Sequence, residues 1–184
     1  MTNVPPDYCG YCGAELDDSD LSPGAYGCSS CDQYIFQSPT PGASVTVVDE
    51  DHLLLIQRAV GESEGQWGTP AGHVDWGEGP DQAAARELEE ETGLRVDTDD
   101  LRLVAGRGTW VSEDKHMVGF EYVIHRDDTR GDLDAGTDAK DARFWTAAAW
   151  DRADEWMHDT TYKRYGTTDV DEIVARTLVE LDRA

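Results

Sequence analysis

The chain of 184 residues holds four cysteines, Cys9, Cys12, Cys28 and Cys31, arranged as two C-x-x-C pairs with fifteen residues between them. Two tight turns at this spacing can aim four thiolates at one point, the tetrahedral arrangement of a structural zinc site. Gly10, Gly13 and Gly27 lie beside the cysteines and suit such turns. Two disulfides would use the same residues. The start of the chain, however, has neither a basic nor an apolar leader segment, and a cytoplasmic chain keeps its thiols reduced. Zn2+ is therefore expected, held by four thiolates with no position left for water, so its role is structural. Metal binding would supply much of the folding energy of a segment too short to bury a core.

A second constellation lies in residues 72–94. Residues 80–92 read as a helix, with Pro80 suited to a first helical position and Gly93 to the stop. At about 100° per residue, Glu87, Glu90 and Glu91 share one face, while Ala84, Ala85 and Leu88 lie toward another and can pack on a core. Like charges four residues apart cost roughly a few tenths of a kcal/mol, and a cation among them reverses the sign. Carboxylate oxygens suit hard cations such as Mg2+ or Mn2+, which keep positions open for substrate phosphates. Gly72 has no side chain and lets the backbone come close to metal or phosphate. A solvated acidic face would also explain three glutamates on one helix. It does not explain their neighbours: nine positions fit G-x5-E-x7-R-E-U-x-E-E-x-G-U, with Leu88 and Leu94 as the aliphatic U. The chance of this match is on the order of 10⁻⁷ from residue frequencies.

This segment resembles the signature box of the Nudix hydrolases at every fixed position, and residues 67–72, W-G-T-P-A-G, are similar to the family's W-x-x-P-G-G lead-in, departing from it at Ala71. The resemblance covers roughly residues 43–150. It implies an α/β (α+β) fold: an α/β/α sandwich with a mixed sheet, preceded here by a small zinc ribbon. It also implies divalent-metal-dependent hydrolysis of a nucleoside diphosphate linked to another group. By position, Glu87, Glu90 and Glu91 would be metal ligands, with the Gly72 carbonyl a further one. Glu78 and Arg86 would form an ion pair holding loop to helix. Glu87 is the first choice of general base, and Asp138, in an acidic later loop, the second. A ribbon ahead of the box is similar to the enzymes that cleave NADH, FAD or ADP-ribose. The S-Q-P-W-P-F-P-x-S stretch of NADH pyrophosphatases is absent, and residues 107–112 read R-G-T-W-V-S, which counts against NADH. Trp67, Trp76 and Trp110 are aromatic rings that could stack on a base or flavin, Trp76 foremost because it lies inside the box, although tryptophans are more often core. His73 is a candidate phosphate contact. Two other functions are a non-catalytic nucleotide-sensing regulator and an RNA decapping hydrolase. The intact box argues against the first, and a ribbon with Asp7, Glu15, Asp17, Asp18, Asp20 and Asp32 but no Lys or Arg argues against the second.

These residues need a scaffold. Residues 1–38 read as the ribbon, 39–43 (P-T-P-G-A) as a linker, and 44–184 as the hydrolase domain with its C-terminal helix. Strands are expected at 44–48, 52–57, 101–105, 117–125 and 143–146, with helices at 147–157 and 169–182. Residues 61–76 form a Gly-rich loop and 130–141 an acidic one.

Charge excludes several partners. Asp and Glu number 39 against 15 Lys and Arg, a formal net charge of −24. Such a surface repels phosphate backbones and anionic membranes, and no apolar run reaches the ~18 residues of a membrane span. The expected partner is a small-molecule nucleotide in the cytoplasm, and a homodimer is compatible with the sequence. The excess is spread along the chain and Lys is scarce, which suits a halophilic, very salty interior where screening relieves self-repulsion. The melting temperature is expected to rise with KCl, as the Debye length falls from ~30 Å at 0.01 M to ~3 Å at 1 M. A flat or falling curve would count against salt adaptation.

Overall fold

The computed structural model describes all residues except 1–3, 17–23, 62, 114, 137 and 184. Asp17, Asp18 and Asp20 of the ribbon therefore lie outside the described residues. The chain divides into two units, one of residues 1–41 with 107–118, the other of 42–106 with 119–184.

In the first unit, strands β1 (Ala25–Cys28) and β2 (Gln33–Phe36) pair antiparallel, with Ala25 opposite Phe36 and Cys28 opposite Gln33. A further antiparallel bridge joins Tyr8 and Glu15. The unit also takes the tip of a long hairpin made by β7 (Arg102–Trp110) and β8 (His116–His125). There Trp110 meets the His116 ring edge-on, with centroids 4.9 Å apart.

The second unit is built on a mixed sheet. Its path is β5 (Trp67–Gly68), β4 (His52–Arg58), β3 (Thr40–Asp49), β8 and β7, with β6 (Ala71–His73) added on β3 and β9 (Ala139–Trp145) on β4. β4 carries an unbroken apolar run because both of its faces are covered. Leu54 packs with Val45, Val47, Leu88 and Ile124 on the side of helix α1 (Pro80–Thr92). Leu53 and Leu55 pack with Trp67, Trp145, Val170 and Ile173 on the side of helix α4 (Val170–Leu181). Successive side chains of a strand point to opposite faces, so one strand serves both cores and the result is the expected helix–sheet–helix sandwich. α1 begins where Gln82 accepts from the Gly79 N–H at 2.8 Å, and stops at Gly93 in the left-handed conformation, φ 72°.

Several boundaries differ from the sequence reading. Residues 40–43, expected as linker, open β3, and Gly42 and Ala43 pair with His73 and Gly72 of β6. β9 starts at Ala139, inside the expected acidic loop, because β4 offers pairing partners from Leu53 to Arg58. The helix expected over 147–157 is a single turn, α2 (Ala147–Trp150). The backbone beyond it is drawn into strand-like pairing: Trp67 N–H donates to the Trp156 carbonyl at 2.8 Å and His158 N–H to the Trp67 carbonyl at 2.7 Å. A short helix not foreseen, α3 (Asp159–Tyr165), follows, capped by the His158 side chain.

Candidate active site and cysteine centre

The cysteine centre is made by two matching turns. Gly13 N–H donates to the Cys9 carbonyl at 2.8 Å, and Asp32 N–H to the Cys28 carbonyl at 2.9 Å. Both donors are left-handed, φ 76° at Gly13 and 55° at Asp32. Of the three glycines beside the cysteines, only Gly13 uses its conformational freedom; Gly27 lies within β1 and Asp32 fills the equivalent place in the second turn. The four sulfurs lie within 4.8 Å of one another, the one such group of metal-ligating side chains among the described residues. Cys9 and Cys31 sulfurs are 3.7 Å apart and Cys12 and Cys28 3.6 Å, so the thiols are free. Although the Gln33 backbone draws the Cys31 thiol down, burial and the three neighbouring sulfurs push it up to about 12. Four thiolates this close need a cation among them, and a soft-ligand tetrahedral set fits Zn2+.

The carboxylate site is built on α1. Arg86 reaches back to the loop and across to two glutamates at once. Its Nε donates to Glu78 Oε1 at 2.9 Å, its Nη2 to Glu78 Oε2 at 3.1 Å and to the His73 carbonyl at 2.9 Å. Its Nη1 donates to Glu87 Oε1 at 2.8 Å and to Glu90 Oε2 at 3.0 Å. The Arg86 guanidinium holds the Glu78 carboxyl below its usual range, and in return the guanidinium's own pKa rises. Glu78 also closes a turn, accepting from Asp75 N–H at 2.9 Å.

Glu87 and Glu91 are the desolvated members. Glu91 is buried and accepts from Ala71 N–H at 2.9 Å. Burial, with the charges of Glu87 and Asp138 added, pushes its carboxyl up to about 7 against the opposing Ala71 hydrogen bond and Arg58 charge. Burial also raises Glu87, against Arg86. Gly72 is required: a Cβ there would lie 1.8 Å from Glu87 Oε1. Carboxylate and backbone carbonyl oxygens are the donor type a hard divalent cation takes, so these residues suit Mg2+ or Mn2+ in their chemistry, with the three carboxylates more widely spaced than the cysteine sulfurs.

The acidic loop is brought to the same helix. Gly136 N–H donates to the Glu91 carbonyl at 3.2 Å, and a Cβ on Gly136 would lie 1.6 Å from the Glu90 carbonyl oxygen. This close seat delivers Asp138 to within electrostatic reach of Glu91. His73 contributes its carbonyl to Arg86. Trp76 is fully exposed at the turn, Trp67 is core at 1% exposure, and Trp110 belongs to the first unit. Sequence reasoning missed Arg58. Its Nε is buried without a hydrogen-bond partner, and its charge acts on Glu91. The available signal was a cation ending an apolar strand just ahead of the Gly-rich loop.

The comparisons with known proteins follow this geometry. A family model described as NUDIX domain matches residues 38–165. Over 147 residues the chain is 32% identical to the NAD-capped RNA hydrolase NudC of Shigella dysenteriae serotype 1, covering 80% of this chain and 52% of that protein. The corresponding protein of Escherichia coli O9:H4 is 31% identical over 148 residues, with the same shares. The chain thus spans about half the length of the curated relatives it matches. Among solved structures, a MutT NUDIX hydrolase from Burkholderia pseudomallei is 25% identical with a TM-score of 0.58, covering 68% of this chain and 95% of that one. A NUDIX hydrolase from Nitrosomonas europaea, 21% identical, shares the fold with a TM-score of 0.67 over 97% of this chain and 94% of its own.

Two outcomes are expected from this geometry. Purified protein should carry about one zinc per chain, and elemental analysis without zinc, together with two disulfides by mass spectrometry, would exclude the centre. In metal-free protein Glu91 binds its proton more tightly folded than unfolded. Stability should therefore fall as pH rises from its ordinary value of 4.5 to about 7 and level off above. Glu91→Gln, neutral throughout, should flatten that part of the wild-type melting curve against pH.

Proposed function

The chain belongs to the Nudix family of pyrophosphohydrolases, and from that premise we propose that it uses Mg2+ or Mn2+ to hydrolyse the pyrophosphate bond of a nucleoside diphosphate joined to another group, such as ADP-ribose, FAD or an NAD(H)-like dinucleotide. The supporting observation is the Gly72 backbone packed without a side chain against the Glu87 carboxylate, with Glu90 and Glu91 alongside. Glu87, Glu90, Glu91 and the Gly72 carbonyl would hold the metal. A cation held there would neutralise phosphate charge and lower the pKa of a water for attack on phosphorus. Glu87, desolvated and so a better proton acceptor than an exposed glutamate, takes the proton of the attacking water, with Asp138 the second candidate. Arg86 and Glu78 keep loop and helix in register and do not touch substrate. Arg58, whose buried Nε has no acceptor among the described residues, is suited to a substrate phosphate. Trp76 and His73 are candidate contacts for the rest of the nucleotide, and Trp110, the other aromatic candidate of the sequence, lies in the first unit. The cysteine centre holds structural Zn2+ in a ribbon over 1–38.

A second reading, removal of an NAD cap from RNA, is favoured by what the NudC relatives are called. The absence of any Lys or Arg from residues 1–41 favours the small nucleotide over a long polyanion. Among the described residues no helix is long and apolar enough to cross a membrane, and we propose a cytoplasmic, salt-adapted enzyme.

A phosphate-release screen of nucleoside diphosphate derivatives with Mg2+ or Mn2+ in high KCl, with a capped RNA as one arm, tests the substrate. On the best substrate, Glu90→Gln and Glu91→Gln should lose activity that excess metal partly restores. Glu87→Gln should lose more, with metal rescuing less, since a missing general base alone costs ~10²–10⁴-fold. Cys28→Ser should destabilise the ribbon with the chemical step largely intact. Near-normal turnover in both Glu87→Gln and Glu91→Gln would refute this helix as the active site.

A further inference from the structure

Residues 67–73 carry the backbone that meets the metal-binding glutamates, and they do not lie on a single strand. Gln57 and Ile56 of β4 pair with Trp67 and Gly68, while Ser44, Ala43 and Gly42 of β3 pair with Ala71, Gly72 and His73. The chain crosses from one strand to the other at Thr69 and Pro70. Ala71, whose N–H donates to Glu91 at 2.9 Å, is the first residue past this corner.

The corner is pinned from two sides. On the β3 side, Val45 N–H donates to the Pro70 carbonyl at 3.0 Å. On the other side lies the C-terminal segment that the sequence reading did not foresee. Met157 forms a parallel bridge with Trp67. Helix α3 packs on Gly68 so closely that a Cβ there would lie 3.3 Å from Thr161 Oγ1. Arg164 of α3 then donates from Nη1 to Thr69 Oγ1, and its Nε faces Glu121 Oε1 of β8 at 3.8 Å. Arg164 and Glu121 side chains are 12% and 11% exposed, too enclosed for a role at the surface. A guanidinium buried this far is costly unless it is paired. Its Nη1 donates to the hydroxyl on the crossing, and its Nε lies at ion-pair distance from a carboxylate on the sheet. It therefore links the crossing to the sheet.

We propose that residues 156–165 form a strap that sets the metal-binding loop, with Arg164 the positioning residue that places Ala71 N–H against Glu91 by holding Thr69. The proposal rests on the reading that Glu91 holds a divalent cation. Loss of the pin lets the crossing relax, so the Glu91 carboxylate loses its fixed orientation and the site binds metal less tightly. Chemistry at saturating metal is preserved, because Arg164 touches neither ligand nor substrate.

The test is Mn2+ titration followed by electron paramagnetic resonance, on full-length protein with the cysteine centre intact, together with melting curves and the metal dependence of turnover. Thr69→Val removes only the acceptor hydroxyl at nearly constant volume; Arg164→Gln removes the fork; Arg164→Lys keeps charge for Glu121 without the fork. Val174→Ala, a truncation in the core beneath α4, controls for stability alone. Thr69→Val and Arg164→Gln are expected to weaken Mn2+ binding about 10–100-fold, as loss of a ligand-orienting group does, with kcat recovering at saturating metal. Arg164→Lys should fall between, and the double variant Thr69→Val with Arg164→Gln should be no worse than Arg164→Gln alone, because the interaction Thr69→Val removes is already lost with the fork. Val174→Ala should lower the melting temperature without moving Mn2+ affinity. Wild-type Mn2+ affinity in Thr69→Val and Arg164→Gln overturns the proposal; if Arg164→Gln does not fold, Thr69→Val decides. Wild-type protein that binds no Mn2+ overturns both the site and the strap. Wild-type protein that binds Mn2+ but hydrolyses no nucleoside diphosphate derivative refutes the activity, and the strap is then judged by Mn2+ affinity alone.

Discussion

One guanidinium holds the catalytic half of this molecule in shape. Arg86 bonds Glu78 and the His73 carbonyl on the loop, and Glu87 and Glu90 on its own helix. In a chain of net charge −24, crowding carboxylates onto one helix face is unfavourable unless a cation offsets them. Arg86 supplies that cation permanently, and the proposed divalent metal would supply a second. Both would draw on Glu87 and Glu90, so the arginine keeps these two carboxylates ordered without the metal. Glu78, which bonds nothing else on the helix, absorbs the remaining fork of the guanidinium and ties the Gly-rich turn to the helix start.

Desolvation does the rest of the tuning, and it is unequal along the helix. Glu91 faces inward against Ala71, where burial pushes its carboxyl up to about 7, Glu87 is half-buried, and Glu90 is exposed on the outer edge. Three glutamates within five residues therefore arrive at three environments. The inner one depends most on its surroundings, because it has a single backbone donor and two like charges nearby. The backbone geometry of residues 67–73 consequently matters to the chemistry as much as the glutamates themselves. This gives physical weight to Gly72, Gly136 and the strap, none of which carries a charge into the site.

The second core has a different task. Trp67, Trp145 and Trp150 meet edge-on in sequence, at centroid distances of 5.1 and 5.3 Å, and Arg143 lies over two of the rings. Trp67 thus starts the lead-in segment inside the α4 core while the next five residues run to the loop against Glu87 and Glu91. The aromatic cluster anchors one end of that segment and Gly72 the other.

The sequence by itself determined the constellations whose members are close along the chain. The C-x-x-C pairs, Glu87, Glu90 and Glu91 on one helical face and the α1 boundaries at Pro80 and Gly93 follow from turn and helix periodicity, which are local properties, and the Glu78–Arg86 pair is implied by the resemblance to the Nudix box. The strand at 52–57 was likewise legible, while the covering of both its faces came from the packing. What only the tertiary structure decided are the contacts between residues far apart in sequence. Asp138 reaches Glu91 because a glycine lets its loop lie on α1. Arg58 emerges as a half-buried cation whose Nε has no hydrogen-bond partner among the described residues. Residues 156–158 leave helical geometry because Trp67 offers them backbone partners. Periodicity carries no record of such pairings: a backbone group must be satisfied, but which distant strand or helix satisfies it is settled only when the chain has packed.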